Sequence, residues 1–194
     1  MKKLIMLLVA VMAFAGYAWV YQLQNGLGVT GMNKPVFWGL YIITFVFFIG
    51  VSAGGIAVAS LSHLAGIEKF KPISRVAEVV AIICLILAMI GIVFDLGRPD
   101  RMLNIFIYPQ KTSPLTWDVF VIQIYLFFCA AMLFFSLTNK PKLLKIFAFL
   151  SIPAFVLVHS VTAWIFGLMK SQPGWHTSIL APLLIVSALV SGLA

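Results

Sequence analysis

Long apolar runs recur along this sequence, separated by short polar turns. They extend from Leu4 to Val20, from Val36 to about Leu64, from about Ile73 to Phe94, from about Trp117 to Leu137, on to about Met169, and from Thr177 to Ala194. A helix needs roughly 20 predominantly apolar residues to cross the hydrocarbon core of a bilayer. Composition points to the same solvent. The chain is 63% hydrophobic and 9% charged, with mean hydropathy +1.13. A soluble core of 194 residues needs nothing so apolar. The chain therefore reads as an all-α integral membrane protein with about six transmembrane helices.

The net charge of +8 is not a sign of nucleic-acid binding. The bases lie mainly in short loops between apolar runs, where they orient the chain in the membrane. With the amino terminus cytoplasmic, the inner segments hold eight bases: Lys2, Lys3, Lys69, Lys71, Arg75, Lys140, Lys142 and Lys145. The outer segments hold five: Lys34, Arg98, Arg101, Lys111 and Lys170. This excess supports that orientation. Cys84 and Cys129 each lie within an apolar run, with no CxxC or CxxCH pattern. They read as small core residues, and no haem or iron–sulfur cluster is expected in this chain.

The amino-terminal run allows two readings, a signal peptide with small residues at Ala13 and Ala15 or a retained helix. The run continues through Tyr17, Trp19 and Tyr21, longer than a signal core of about 7–15 residues, and the retained helix is favoured. In the second run Gly50 and Gly54 are four apart, as are Ala53 and Ala57. That spacing lets helix backbones approach closely. Arg75 and Glu78 are three apart and read as an ion pair on one helical face. A weaker alternative gives Glu78 a proton-handling role with His63. The last run ends on Ser-Gly-Leu-Ala without a polar cap, so that span reads as incomplete.

The stretch from Asp95 to Asp118, DLGRPDRMLNIFIYPQKTSPLTWD, holds three of the five acids and three strong bases. Ionisable groups at the ends of membrane helices are costly unless paired or hydrated. Three of the five outer bases fall here (Arg98, Arg101 and Lys111), against the orientation trend. His159 lies 14 residues beyond Lys145, roughly 21 Å along a helix, in the outer half of the membrane. Asp95, Asp118, His159 and Arg98 thus gather near one surface, with Trp117 and Trp164. Two carboxylates and an imidazole there suit an amphiphile that must lose protons, such as a quinol. The competing reading of His159 is a packed, hydrogen-bonded residue.

Several stretches together resemble the NrfD-like membrane subunits of the polysulfide reductase family. They are Gly28–Ile42, the Gly50–Gly55 run, R-V-A-E at Arg75–Glu78, D-L-G-R-P-D-R at Asp95–Arg101, S-P-L-T-W-D-V at Ser113–Val119, and Pro173–Gly192. The resemblance implies a multi-helix subunit, including a four-helix bundle, in the inner membrane of a bacterium or archaeon. Such a subunit exchanges electrons between menaquinone or ubiquinone and an iron–sulfur or multihaem partner, often with a molybdopterin catalytic subunit beyond. In the related alternative complex III subunits, the residue before L/V-G-R-P and the aspartate of S-P-L-x-W-D are tied to the quinol site. Those positions are Asp95, where His is frequent, and Asp118, and His159 also matches a recurring His. Family members are about twice as long, so the chain reads as an amino-terminal half. Residues 1–23 are the expected first helix, 36–169 the bundle and 177–194 the start of a further span.

The mechanism expected from these readings has Asp118 and His159 accept hydrogen bonds and protons from a quinol. Asp95 relays protons outward, held by Arg98. Trp117 or Trp164 flanks the ring, beside Ser113 of the same motif. No metal site is expected. The alternatives are a proton or ion translocator and a structural anchor without its own quinone site.

Overall fold

The computed structural model describes residues 1–32, 38–66, 70–170, 172 and 174–193. Its helices are α1 (Lys2–Asn25), α2 (Leu40–Ala65), α3 (Lys71–Asp95), the single turn α4 (Asn104–Ile107), α5 (Pro114–Leu137), α6 (Pro141–Gly167) and α7 (Leu180–Leu193). Five of them, α1, α2, α3, α5 and α6, are long and apolar enough to cross a membrane. The last run forms a shorter apolar helix. The chain is an all-α, multi-pass membrane protein, as its apolar runs imply.

Helix ends fall where local chemistry stops the backbone. Gly26 and Gly66 follow α1 and α2 with φ of 81° and 68°, a region that only a residue without Cβ enters at little cost. Pro72, Pro114 and Pro141 lie in the first turns of α3, α5 and α6, where the missing N–H breaks no helical bond. Asn139 turns the chain between α5 and α6 at φ 52°, a conformation Asn tolerates better than most residues.

Helices α2, α3, α5 and α6 enclose one core, built on Ile49, Ala53, Ile56, Leu85, Tyr125, Met132 and Val158. Helix α2 is central and packs against α3, α6 and α7, while α5 joins α6 and α3. Small residues govern these contacts. A Cβ added to Gly54 would overlap the Gly192 backbone, and one added to Gly55 would sit 2.9 Å from the Ala77 carbonyl oxygen. The Gly50–Gly54 pair thus seats α7, while Gly55 seats α3. Helix α1 stands apart, exposed along its length, and touches the bundle through its last turns. There Trp19 packs on Phe94, with ring centroids 5.1 Å apart. Gln22 donates to the Phe94 carbonyl at 2.8 Å and accepts from the Tyr41 hydroxyl at 3.1 Å.

One expected pairing is corrected. Glu78 does not pair with Arg75. Its Oε1 lies 2.5 Å from His63 Nε2 across the α2–α3 seam, with both side chains buried. Arg75 instead reaches the Ser136 carbonyl on α5 at 3.5 Å. Lys34 and Lys69, counted in the orientation argument, lie outside the described residues.

Candidate functional site

Asp118 lies in the first turns of α5, begun by Ser113 and Pro114. Ser113 occupies the N-cap position, though its side chain makes no capping bond. Asp118 is buried, and Thr162 on α6 donates its hydroxyl to Asp118 Oδ1 at 2.7 Å. His159 lies three residues before Thr162, so both occupy one face of α6. His159 is also buried, and its Nδ1 sits 2.9 Å from the Phe155 carbonyl. A carbonyl oxygen only accepts, so Nδ1 carries the hydrogen, and in the neutral ring Nε2 is left as an acceptor. That Nε2 is buried and has no hydrogen-bond partner among the described residues. Buried polar atoms of this kind are usually paired, so an open acceptor in an apolar bundle is a functional lead.

His159 and Thr162 line a cavity of about 300 Å³ between α2, α6 and α7. Ile49 and Gly50 of α2 and Leu184 and Ala188 of α7 contribute apolar walls. The volume falls at the lower end of the roughly 300–1,000 Å³ usual for small-molecule sites. Phe47, Ser187 and Ser191, also on its lining, are exposed, so the cavity opens on the exposed side of α2 and α7. An aromatic cluster gathers at the same end of the bundle. Trp38 lies just before α2, Phe166 one turn beyond Thr162, and Trp175 in the α6–α7 connection. Their ring centroids are 5.0 Å (Trp38–Phe166), 5.4 Å (Phe166–Trp175) and 6.0 Å (Trp38–Trp175) apart. His176 donates from Nδ1 to the Gly167 carbonyl at 2.6 Å, tying that connection to α6.

The other sequence candidates sit elsewhere. Asp95 ends α3 in the corner where α1 and α2 meet it. Its Oδ1 is buried and unpartnered among the described residues, and no described ion pair joins it to Arg98. Arg98 is exposed. Trp117 is 54% exposed, and its indole N–H donates to the Lys111 carbonyl at 2.8 Å, closing the loop onto α5. Trp164 is 56% exposed. The structure therefore places Asp118 against Thr162, one turn along α6 from His159, and leaves Asp95, Arg98, Trp117 and Trp164 away from these residues. Among the described residues, no three His, Cys, Asp or Glu side chains converge as metal ligands.

Polar pairs also continue through the bundle from the Asp118 end to the His63 end. Ser52 and Tyr125 share a hydrogen bond of 3.2 Å between α2 and α5. Ser60 and Ser151 share one of 2.8 Å between α2 and α6. His63 and Glu78 follow, with Glu78 Oε2 buried and unpartnered among the described residues.

The model of the polysulphide reductase NrfD family matches residues 28–194. The chain belongs to the NrfD family. Among curated relatives, it is 33% identical over 98% of its length to the Hdr-like menaquinol oxidoreductase integral membrane subunit of Archaeoglobus fulgidus, covering 48% of that protein. It is 25% identical over its whole length to a selenate reductase subunit of Mesobacillus selenatarsenatis, covering 55% of it. It is also 30% identical over 64% of its length to the menaquinone reductase integral membrane subunit of Nitratidesulfovibrio vulgaris, covering 30% of that protein. The chain spans about half the length of the first two of these relatives. The family match and the apolar spans together make it a membrane protein of the NrfD family.

Proposed function

We propose that this NrfD-family chain binds a quinol or quinone in the cavity between α2, α6 and α7, with His159 and Asp118 as the proton-accepting groups. The observation that carries the reading is the unpartnered Nε2 of buried His159, three residues from the Thr162 that holds Asp118, on the wall of a cavity open on the exposed side of α2 and α7. Oxidation of a quinol releases two protons with two electrons, and its hydroxyls need acceptors. His159 Nε2 accepts from one hydroxyl directly. Asp118 takes up the second proton, with Thr162 between it and the cavity. Trp38 and Trp175 offer ring faces at the Asp118 end.

In this reading Asp95 relays protons on the α1–α3 side. The Asp118 end faces outward and the amino terminus is cytoplasmic, in keeping with the excess of bases at the other end. Exposed Arg98, Arg101 and Lys111 form a basic platform for an electron-transfer subunit carrying iron–sulfur clusters or haems, with a catalytic subunit beyond. The names of the relatives, menaquinol oxidoreductase and selenate reductase subunits, support a partner of this kind. Residues 1–23 anchor the chain, 36–169 supply the bundle, and 177–194 supply a further apolar helix packed on α2.

The test is titration of the detergent-solubilised chain with a fluorescent menaquinol analogue. Saturable quenching that Asp118→Asn or His159→Ala weakens at least tenfold, about 1.4 kcal/mol, is the expected result. Equal binding by wild type and both variants places any site elsewhere.

A second reading rests on the polar pairs that run from Asp118 to Glu78. Proton translocation through the bundle would use them, and proton flux in liposomes without any redox partner would favour it over quinol binding alone.

A further inference from the structure

The end of the bundle opposite Asp118 carries a second cleft, of about 190 Å³, where α2 ends, α3 begins, α5 ends and α6 begins. Lys71, Arg75 and Lys140 line it, with His63, Ser136 and Asn139. The one described acid beside it is Glu78, whose Oε1 is already engaged by His63. Arg75 reaches across from α3 to the Ser136 carbonyl with a single long bond of 3.5 Å. A guanidinium has five donors, so most of its capacity remains for an anion.

Two helix N-termini add to this field. Neither α3 nor α6 has an acidic residue in its first turn, and neither has a side-chain cap. Within those first turns no carboxylate offsets the positive helix ends, and first-turn N–H groups without a side-chain cap attract anions. Lys145, on the first turns of α6, extends its Nζ to within 4.0 Å of where a Cβ on Gly66 would lie, at the end of α2. The cleft thus concentrates positive charge at one level of the bundle.

We propose that this cleft holds the phosphate of an anionic phospholipid head group. The chemistry selects a phosphate monoanion or diester. Position selects a lipid as its source over free phosphate. The cleft lies where membrane-length helices begin and end, the level of lipid head groups, and Leu144 forms part of its lining. Exposed Ile73, Leu143 and Ile146 lie just beyond it on α3 and α6, where acyl chains would run. Basic pockets between transmembrane helices are suited to such head groups. The site is independent of the quinol reading, since it shares no residue with the Asp118–His159 cluster.

The test compares phosphatidylglycerol with phosphatidylcholine on the solubilised chain, by native mass spectrometry and thermal unfolding. Phosphatidylglycerol is expected to bind at least tenfold more tightly and to raise the unfolding midpoint. Arg75→Gln with Lys140→Gln should abolish the preference, while Lys111→Gln at the opposite end should retain it. A photo-crosslinkable phosphatidylglycerol on the wild-type chain should label the start of α3 and residues 139–145, which decides the point even where the double variant folds poorly. Inorganic phosphate at millimolar concentration should leave the midpoint unchanged. No lipid preference, labelling confined to other segments, a preference that survives the double substitution, or equal stabilisation by inorganic phosphate would each overturn the proposal.

Discussion

Thr162 on α6 donates its hydroxyl to Asp118 on α5 at 2.7 Å, and both side chains are buried. The bond fixes the carboxylate beside the face of α6 that also carries His159. Its removal leaves a buried acceptor without this donor, a loss of about 1–3 kcal/mol by the usual cost of an unsatisfied buried group. Thr162→Val keeps the shape and deletes the donor, whereas Thr162→Ser keeps it. Thermal unfolding in detergent should therefore drop for the valine variant and stay near wild type for the serine variant. Affinity for the menaquinol analogue should fall in the same order. Equal midpoints and affinities for all three proteins would show that the hydroxyl does not hold Asp118.

His63 and Glu78 form a second buried pair, joined at 2.5 Å between α2 and α3. Removing one partner strands the other in an apolar seam, which costs about 3–5 kcal/mol for buried pairs of this kind. His63→Ala and Glu78→Ala should each destabilise strongly. The double variant should be less destabilised than the sum of the two, because the stranded group is gone. Denaturant unfolding of the four proteins gives the coupling directly, and strict additivity would mean that the pair is not formed.

The contrast with Arg75 shows what sequence reading can and cannot see here. Spans and their ends are legible because apolar length, Gly after a helix and Pro in a first turn act locally. The Gly50–Gly54 spacing correctly marks a close helix approach, since small residues at that interval serve few other purposes. Arg75 and Glu78, three apart, look paired because spacing within one helix says nothing about a residue on the next. His63 wins because the α2–α3 seam places it against Glu78 in the apolar interior. Asp118 and His159 stand out as ionisable groups in apolar runs, and Thr162 does not. A threonine in a membrane helix reads as packing until its partner is known. Its position three residues after His159 is the available signal. Trp117 and Trp164 are candidates by depth alone. Depth does not tell which face of a helix a ring occupies, and the ring cluster forms from Trp38, Phe166 and Trp175 instead.

The aromatic cluster gives a further expectation. If Trp38 and Trp175 supply ring faces to the quinol, Trp175→Leu should weaken analogue binding several-fold, in line with about 0.5–1.5 kcal/mol for an aromatic pair beyond its buried area. Trp164→Leu, on an exposed surface of α6, should leave binding unchanged. The reverse result would return the ring-flanking role to Trp164.

The cavity depends on how α7 sits against α2, and that seat is open to direct measurement. A Cβ added to Gly50 would lie 3.8 Å from the Cβ of Ala188. This separation matches the mean of about 3.8 Å between Cβ atoms in disulfides. Gly50→Cys with Ala188→Cys should therefore cross-link readily under mild oxidation. The native thiols should not compete, because Cys84 and Cys129 are buried and unpaired. Adding Gly54→Leu should sharply reduce the cross-link. A side chain there would be driven into the Gly192 backbone, one turn along the same seam, so α7 must move away. Quantifying the cross-linked fraction by mass spectrometry after proteolysis distinguishes the cases. An unchanged fraction with Gly54→Leu would mean that the glycines do not seat α7, and the cavity wall formed by Leu184 and Ala188 would have to be placed anew.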